Sequence, residues 1–239
     1  MAPRSTGVHR HAFVDLAQIV RNAEALAADT TLNDLTADLR ADAYGHGLIP
    51  VANALSDAGV GGFVVSRVED AAALADAGFA AARIHTRPAP ATHALGPVLF
   101  GLDPLRPAPS ALRLVGEVIA VKHVGADRGV SYGYTYRTQH PTTLALVALG
   151  FADGIPRVAT NRAPVRIGSF TGRVTGRIAM DQFVVDLDGT AARPGERAVL
   201  FGDPRLGEPT VHDWADSIGI AAEAITSRLG RRIERVYSA

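Results

Sequence analysis

The chain has 239 residues, 47% of them hydrophobic, and its 24 basic residues balance its 24 acidic ones. This is enough apolar material for one large or two modest domains, and a neutral chain is not drawn by charge to nucleic acid or to an anionic membrane. Cysteine is absent, which excludes disulfides, thiolate zinc sites and a cysteine nucleophile. Without a signal-peptide core or a membrane-spanning stretch, we expect a cytoplasmic protein with small-molecule or protein partners.

The first half of the chain alternates helix and strand signals. Apolar residues at helical spacing predict a mostly helical segment over residues 12–28, with Asp15 as a candidate N-cap. A second helix is predicted to end at Gly59, followed by a strand at Phe63–Val65 and a helix that stops at Gly78. This alternation is typical of a parallel α/β sheet.

The pattern changes in a proline-rich segment over residues 85–110, where we predict a linker with one short strand at Val98–Phe100. Beyond it, short β runs separated by Gly and Pro turns predict a mainly β region, with a helix or two before a closing strand. The sequence therefore predicts an α/β domain over residues 1–105 and a β domain over residues 106–239.

Generic site motifs are weak. His9 and His11 lie two residues apart near the start without a third ligand, so we expect no metal site. The isolated glycines lack the strand–GxGxxG–helix setting of a dinucleotide site, and Ser131 lacks the GxSxG setting of a hydrolase nucleophile.

Five segments in a fixed order are more specific. They are RADAYGHG at 40–47, GVSYGYTYRT at 129–138, GFADGIPR at 150–157, GRIAMDQFVVDL at 176–187 and RRIERVY at 231–237. Together they resemble the alanine racemases, and the helix FVDLAQIVRNAEAL and the segment VLFGLDP are also similar to segments of that family. The resemblance covers most of the chain.

The resemblance implies a fold, a cofactor and a reaction. In that family a (β/α)8 barrel holds pyridoxal phosphate as a Schiff base on a lysine, and the reaction interconverts L- and D-alanine, supplying D-alanine for the cell wall. A C-terminal β domain from the opposite subunit of a dimer delivers a tyrosine, which corresponds to Tyr132. Met180 and Asp181 correspond to residues near the substrate carboxylate, and Tyr44 to a tyrosine that helps to hold the phosphate. The cofactor acidifies the Cα proton, and inversion needs one base on each face.

The chain departs from the family at the lysine position, which holds Arg40. A guanidinium stays protonated and is a poor nucleophile, so we do not expect covalent attachment of pyridoxal phosphate. If the strand continues to Arg40, its side chain shares a face with Asp38, and Asp42 joins them if the strand runs that far. We therefore predict that Arg40 pairs with Asp38 where the cofactor would otherwise lie, because a buried unpaired arginine is costly.

The second departure is length. A (β/α)8 barrel takes about 250 residues, and the β domain begins too early for eight strand–helix units. We therefore expect an incomplete (β/α)8-type barrel without its middle units, followed by a mainly β domain. Alignment puts Ala94 at the position of the family arginine that contacts the pyridine nitrogen, and Arg87 is too early for that role.

Three functional interpretations follow. The first is a degenerate family member that has lost racemisation. One alternative is an active amino-acid racemase that binds pyridoxal phosphate without a covalent link and uses Tyr132 as one base. Another is a partner whose β domain completes the site of an intact racemase. Exposed edges of an incomplete barrel also predict an oligomer, either a homodimer or a heterodimer with an intact racemase.

Overall fold

The computed structural model describes residues 8–28, 30–80, 83–86 and 93–238, and the chain divides into two compact units. The α/β unit comprises residues 13–112, 221–228 and 235–238, and the β unit comprises residues 8–12, 113–220 and 229–234. Strands β1 (Arg10–Asp15) and β14 (Glu234–Ser238) contribute residues to both units. Within the described ranges, no helix combines the length and the apolar character needed to span a bilayer.

The α/β unit is built on a parallel four-stranded sheet in the order β4-β3-β2-β5. Its strands are β2 (Leu35–Asp38), β3 (Gly62–Val64), β4 (Ile84–His85) and β5 (His93–Leu95). Its helices are α1 (Leu16–Leu26), α3 (Leu48–Asp57), α4 (Val68–Asp76) and α6 (Ala222–Thr226), and the short segment α2 (Arg40–Tyr44) is a single turn with left-handed backbone. The predicted parallel α/β sheet is therefore confirmed, whereas an incomplete eight-unit barrel stays a prediction.

Local signals explain several of these boundaries. The Asp15 carboxylate accepts a hydrogen bond from the Gln18 amide at 2.7 Å, so the predicted N-cap is confirmed, although the helix itself begins only at Leu16. Helix α4 ends at Asp76, and Gly78 follows with a φ of 94°. That left-handed conformation is one that glycine adopts without strain.

The strand predicted at Val98–Phe100 is wrong, because Pro97–Phe100 forms a 3₁₀ helix. Proline at the first position of this helix presets its φ, and Gly101 closes it in the left-handed conformation with a φ of 71°. Its apolar side chains are buried, and a short apolar run alone does not distinguish a strand from a helical turn. Arg87 lies outside the described residues, as does the side chain of Ala94.

The β unit is a six-stranded antiparallel barrel in the order β13-β10-β11-β12-β9-β6, closed by pairing of β13 with β6. Its strands are β6 (Leu112–Val124), β9 (Thr142–Val147), β10 (Pro164–Ile167), β11 (Phe170–Thr175), β12 (Phe183–Asp186) and β13 (Arg197–Phe201). A hairpin of β7 (Gly129–Val130) and β8 (Tyr136–Arg137) and helix α5 (Val211–Ile218) complete it. The predicted mainly β region is confirmed.

Candidate functional site

The end of β2 carries a charged pair. Asp38 is buried with 5% of its surface exposed, and both its carboxylate oxygens accept hydrogen bonds from Arg40 Nε, at 2.8 and 2.9 Å. The Arg40 backbone amide also donates to Asp38 Oδ1 at 3.1 Å. The predicted Arg40–Asp38 pair is therefore confirmed, but Arg40 is not buried, because 46% of its side chain is exposed.

The geometry of this pair differs from the predicted strand register. Strand β2 stops at Asp38, and the residues from Ala41 to Tyr44 all have φ between 53° and 57°, which makes a left-handed turn. Each non-glycine residue in this conformation costs about 1–2 kcal/mol, so surrounding contacts must hold it. Asp42 therefore does not share a strand face with Asp38; its carboxylate instead accepts from the Leu48 amide at 2.8 Å, at the start of α3.

Tyr44 completes the set of donors around Asp38. Its hydroxyl donates to Asp38 Oδ2 at 2.9 Å, and its ring lies 5.4 Å from that of Phe100. Burial and the neighbouring Asp38 carboxylate raise the pKa of Tyr44 to about 12, so the phenol stays protonated and donating at neutral pH. Hydrogen bonding to Asp38 likewise raises the pKa of the Arg40 guanidinium further above its ordinary value.

His46 is a residue that the sequence analysis did not assign. It is fully buried, and its Nδ1 lies 3.0 Å from the Ala43 carbonyl and 3.1 Å from the Tyr44 carbonyl, so Nδ1 carries the proton. Its Nε2 has no hydrogen-bond partner among the described residues. Burial lowers the pKa of His46 to about 4, so the ring is neutral. We call Asp38, Arg40, Tyr44 and His46 the Arg40 cluster.

The C-terminal strand of the same unit lies against this cluster. Arg235 Nε donates to the Gly45 carbonyl at 3.2 Å. A side chain at Gly47 would overlap the Tyr237 hydroxyl, and one at Gly45 would overlap the Thr226 carbonyl. These close approaches explain the glycines of the YGHG segment. The sequence marked Arg235 and Tyr237 only as members of the RRIERVY segment and did not predict that they lie beside the Arg40 cluster.

In the β unit, Tyr132 lies on a strained loop, residues 131–134, which we call the Tyr132 loop. Its hydroxyl donates to the Ile178 carbonyl at 3.0 Å and accepts from Arg157 Nη2 at 2.8 Å, and 44% of the residue is exposed. Ser131 has φ 60° and ψ −179°, a region otherwise almost confined to glycine, and its hydroxyl donates to the Arg177 carbonyl at 2.7 Å. The loop therefore holds a polar, accessible phenol in a fixed place.

Met180 and Asp181 also belong to the β unit. Met180 is 55% exposed, and the Asp181 carboxylate lies 2.7 Å from Arg232 Nη2. Arg232 Nε lies 3.1 Å from the fully buried Asp153, so one guanidinium joins an exposed carboxylate to a buried one. Of the predicted site residues, Arg40 and Tyr44 are together in the α/β unit, and Tyr132, Met180 and Asp181 lie in the β unit.

The chain is similar in sequence to known proteins. The family model for the alanine racemase C-terminal domain matches residues 111–237, and the model for the N-terminal domain matches residues 14–123. The alanine racemase of Thermobifida fusca is 47% identical over 154 residues, which are 64% of this chain and 40% of that protein. The alanine racemase of Streptomyces coelicolor is 49% identical over 141 residues, which are 59% of this chain and 34% of that protein. The matches thus span well under half of these relatives.

Solved structures show the same fold. The alanine racemase from D-cycloserine-producing Streptomyces lavendulae superposes with a TM-score of 0.89 at 26% identity, with 98% of each chain covered. The Bartonella henselae alanine racemase, solved with covalently bound pyridoxal phosphate, gives a TM-score of 0.82 at 18% identity, with 97% of this chain and 100% of that chain covered, and shows the fold alone. On the ordered motifs, the domain matches and the fold, the chain belongs to the alanine racemase family.

Proposed function

We propose that this chain retains the alanine racemase scaffold but does not hold pyridoxal phosphate as a Schiff base, so that the interconversion of L- and D-alanine is lost or strongly impaired. One observation carries the proposal: Arg40, which the resemblance assigns to the family lysine position, has its guanidinium bonded to Asp38 through Nε.

The residues present do not fit the covalently held cofactor. A Schiff base requires a neutral primary amine, which a guanidinium cannot provide. Its bonds to Asp38 raise the pKa of Arg40 still further, which holds it in the charged form. Tyr44, assigned by resemblance to the phosphate, donates its hydroxyl to the same carboxylate. An anionic Asp38 beside that hydroxyl disfavours a phosphate there.

A second candidate function rests on the exposure of Tyr132 and Met180. Both side chains are accessible on the β unit, where they would be available to complete the site of an intact racemase in a heterodimer. Native mass spectrometry after co-expression with a full-length alanine racemase tests this candidate, because absence of a mixed dimer contradicts it. A homodimer of this chain is the competing assembly in the same spectrum.

The main proposal is tested by colour and by activity. The wild type is incubated with pyridoxal phosphate and dialysed, then examined for a band at about 400–430 nm and for racemisation of L- and D-alanine. We expect neither. Arg40→Lys is the matched variant, and a band and activity gained there identify the missing amine as the cause.

Lys122 is the only lysine of the chain, so it is the competing side-chain amine for this aldehyde. Lys122→Arg, alone and combined with Arg40→Lys, keeps the charge and removes that amine. A wild-type band that disappears in Lys122→Arg arises at Lys122 and leaves the proposal intact. Racemisation by the wild type that persists in Lys122→Arg contradicts it.

A further inference from the structure

The β unit contains a cavity of about 760 Å³ between the outer faces of β6, β9 and β12 and the β7–β8 hairpin. Small-molecule sites in proteins have volumes of about 300–1,000 Å³. The cavity has no part in the Arg40 cluster, and of the Tyr132 loop only Ser131 and Tyr134 line it. Binding of a ligand in this cavity would therefore not depend on the residues of the Arg40 cluster.

The floor of the cavity is apolar although it is the outside of a barrel. Along β9, Thr143, Ala145 and Val147 are buried, whereas the alternate residues Leu144 and Leu146 are only half-buried and line the cavity. Leu146 lies opposite Val184 of β12 and Ala120 of β6 in the strand register. The outer positions of an antiparallel sheet that faces water are usually polar, so this apolar strip indicates that something other than water covers it.

The rim of the cavity is basic. Its basic side chains are Lys122, His123, Arg128 and Arg137, and none of the described residues that line it has a carboxylate. Arg137 is neutralised by Asp127 at 3.0 Å. Within the part of the chain that the structure describes, no ion pair involves Lys122 or Arg128, and both are exposed at the rim. Two positive charges therefore remain uncompensated beside an apolar floor.

Polar groups on the neighbouring strands have hydrogen-bond partners of their own. The Asp186 carboxylate accepts from the Tyr136 hydroxyl at 2.8 Å and from the Thr142 hydroxyl at 2.6 Å. His123 Nδ1 lies 2.9 Å from the Thr143 hydroxyl. Tyr134, 64% exposed, has its ring against the Gly129 backbone, where a Cβ would overlap it, and it supplies an aromatic wall to the cavity.

We propose that this cavity binds a small organic anion: one carboxylate or phosphate group on an apolar or aromatic body. The anionic group would lie at Lys122 and Arg128, since a charged donor gives the stronger hydrogen bonds to such groups. The body would cover Leu144, Leu146 and Val184 and stack against Tyr134. This inference is independent of the proposed loss of the cofactor.

Calorimetric titration of the full chain tests it with four probes: phenyl phosphate, benzoate, inorganic phosphate and benzyl alcohol. We expect phenyl phosphate or benzoate to bind, and to bind more tightly than benzyl alcohol or inorganic phosphate. Which of the two binds better identifies the anionic group. Lys122→Met combined with Arg128→Gln is expected to weaken binding about tenfold, whereas Arg193→Gln, an exposed arginine outside the lining, leaves it unchanged.

Several results would overturn the proposal. One is no saturable binding of phenyl phosphate or benzoate up to about 10 mM, a concentration that still detects a weak site. Another is equal binding by the double variant, and a third is inorganic phosphate binding as tightly as phenyl phosphate. Light scattering that shows a dimer dissociated by Leu146→Arg would assign the apolar strip to a second copy instead. The neutral probe benzyl alcohol keeps the test valid in the wild type even if a variant fails to fold.

Discussion

The Arg40 cluster and the Tyr132 loop differ in how their polar groups are satisfied. In the Arg40 cluster, a buried carboxylate accepts from both Arg40 and Tyr44, and His46 is enclosed completely. In the Tyr132 loop, the phenol is bonded but remains 44% exposed. One region has its charges paired within itself, and the other presents a functional group to its surroundings.

This difference predicts where substitutions lower the stability of the protein. Substitutions in the Arg40 cluster remove partners from buried groups, so they should lower the free energy of unfolding. Substitutions in the Tyr132 loop replace bonds that water can also make, so they should cost little. Trp214, the only tryptophan, is buried in the β unit, so its fluorescence reports that unit. Far-ultraviolet circular dichroism reports mainly the α/β unit, because most of the described helices belong to it and only α5 to the β unit.

The largest expected effect is the pH dependence that His46 imposes. Its pKa is about 4 in the folded protein and about 6.5 unfolded, so below pH 6.5 the unfolded state binds the proton more readily. The contribution of neutral His46 is complete above pH 6.5 and is lost as the pH falls towards 4. The free energy of unfolding should fall by about 2 kcal/mol between about pH 7 and about pH 5 from this group.

Urea unfolding at the two pH values measures this effect by circular dichroism. His46→Asn keeps a donor near the Nδ1 position but cannot be protonated, so its pH dependence should be smaller by that amount. Equal slopes in wild type and His46→Asn would show that His46 is accessible to water in solution.

The second largest effect is expected when the Asp38 carboxylate, which Arg40 and Tyr44 share, is removed. Asp38→Asn leaves Arg40 and Tyr44 facing an amide, and we expect a loss of about 1.5 kcal/mol, the lower end for hydrogen bonds to a charged group because Arg40 is half-exposed. The matched control is Asp181→Asn, whose partner Arg232 is 41% exposed, with an expected loss of about 0.5 kcal/mol or less. Equal losses would remove the distinction between the two regions.

The sequence predicted the Arg40–Asp38 pair but not the backbone that carries it. The prediction rested on the i, i+2 spacing of Asp38 and Arg40 in a strand. The strand ends at Asp38, but two residues this close in sequence can still pair, because the arginine side chain is long enough to reach the carboxylate. The N-cap at Asp15 and the helix end near Gly78 followed from local hydrogen bonding and from glycine conformation. These are properties of a few neighbouring residues, and a single sequence contains them.

Other features of the site depend on contacts between residues that are far apart in the sequence. A left-handed turn through Ala41–Tyr44 is disfavoured residue by residue, so no local rule predicts it. It is held by the bonds of the Asp42 carboxylate and of Arg235, the latter from the far end of the chain. His46 has no signal of burial in its own segment, because the ring of Phe100 that covers it comes from a distant segment.

Strain in the left-handed turn gives the third prediction. Ala41 is exposed and has a φ of 53°, so Ala41→Gly should raise the free energy of unfolding by about 0.5–1 kcal/mol. Ala72, exposed within α4, is the opposite case, and Ala72→Gly should lower it by about 1 kcal/mol. Both are measured by circular dichroism in urea, and destabilisation by both would argue against the left-handed turn.

Ser131 provides the equivalent test in the β unit. Ser131→Gly relieves the strained backbone but loses the bond to the Arg177 carbonyl, with a net gain of about 0.5 kcal/mol. Ser131→Ala keeps the strain and loses the bond, so it should cost about 1 kcal/mol. Trp214 fluorescence in urea measures both. If Ser131→Gly is the less stable of the two, strain does not fix the Tyr132 loop.

The smallest effect is expected at Tyr132. Tyr132→Phe removes the bonds to the Ile178 carbonyl and to Arg157, but at 44% exposure water replaces them, so the loss should be about 0.5 kcal/mol or less by Trp214 fluorescence. A turn tyrosine that only braces the β unit would instead cost about 1.5 kcal/mol or more. Arg157→Gln should have an equally small effect, because its guanidinium is bonded to the same exposed hydroxyl. A small loss in both variants shows that the phenol is not needed for the stability of the β unit, as the accessible role proposed for it requires, whereas a large loss in Tyr132→Phe alone makes it a structural side chain.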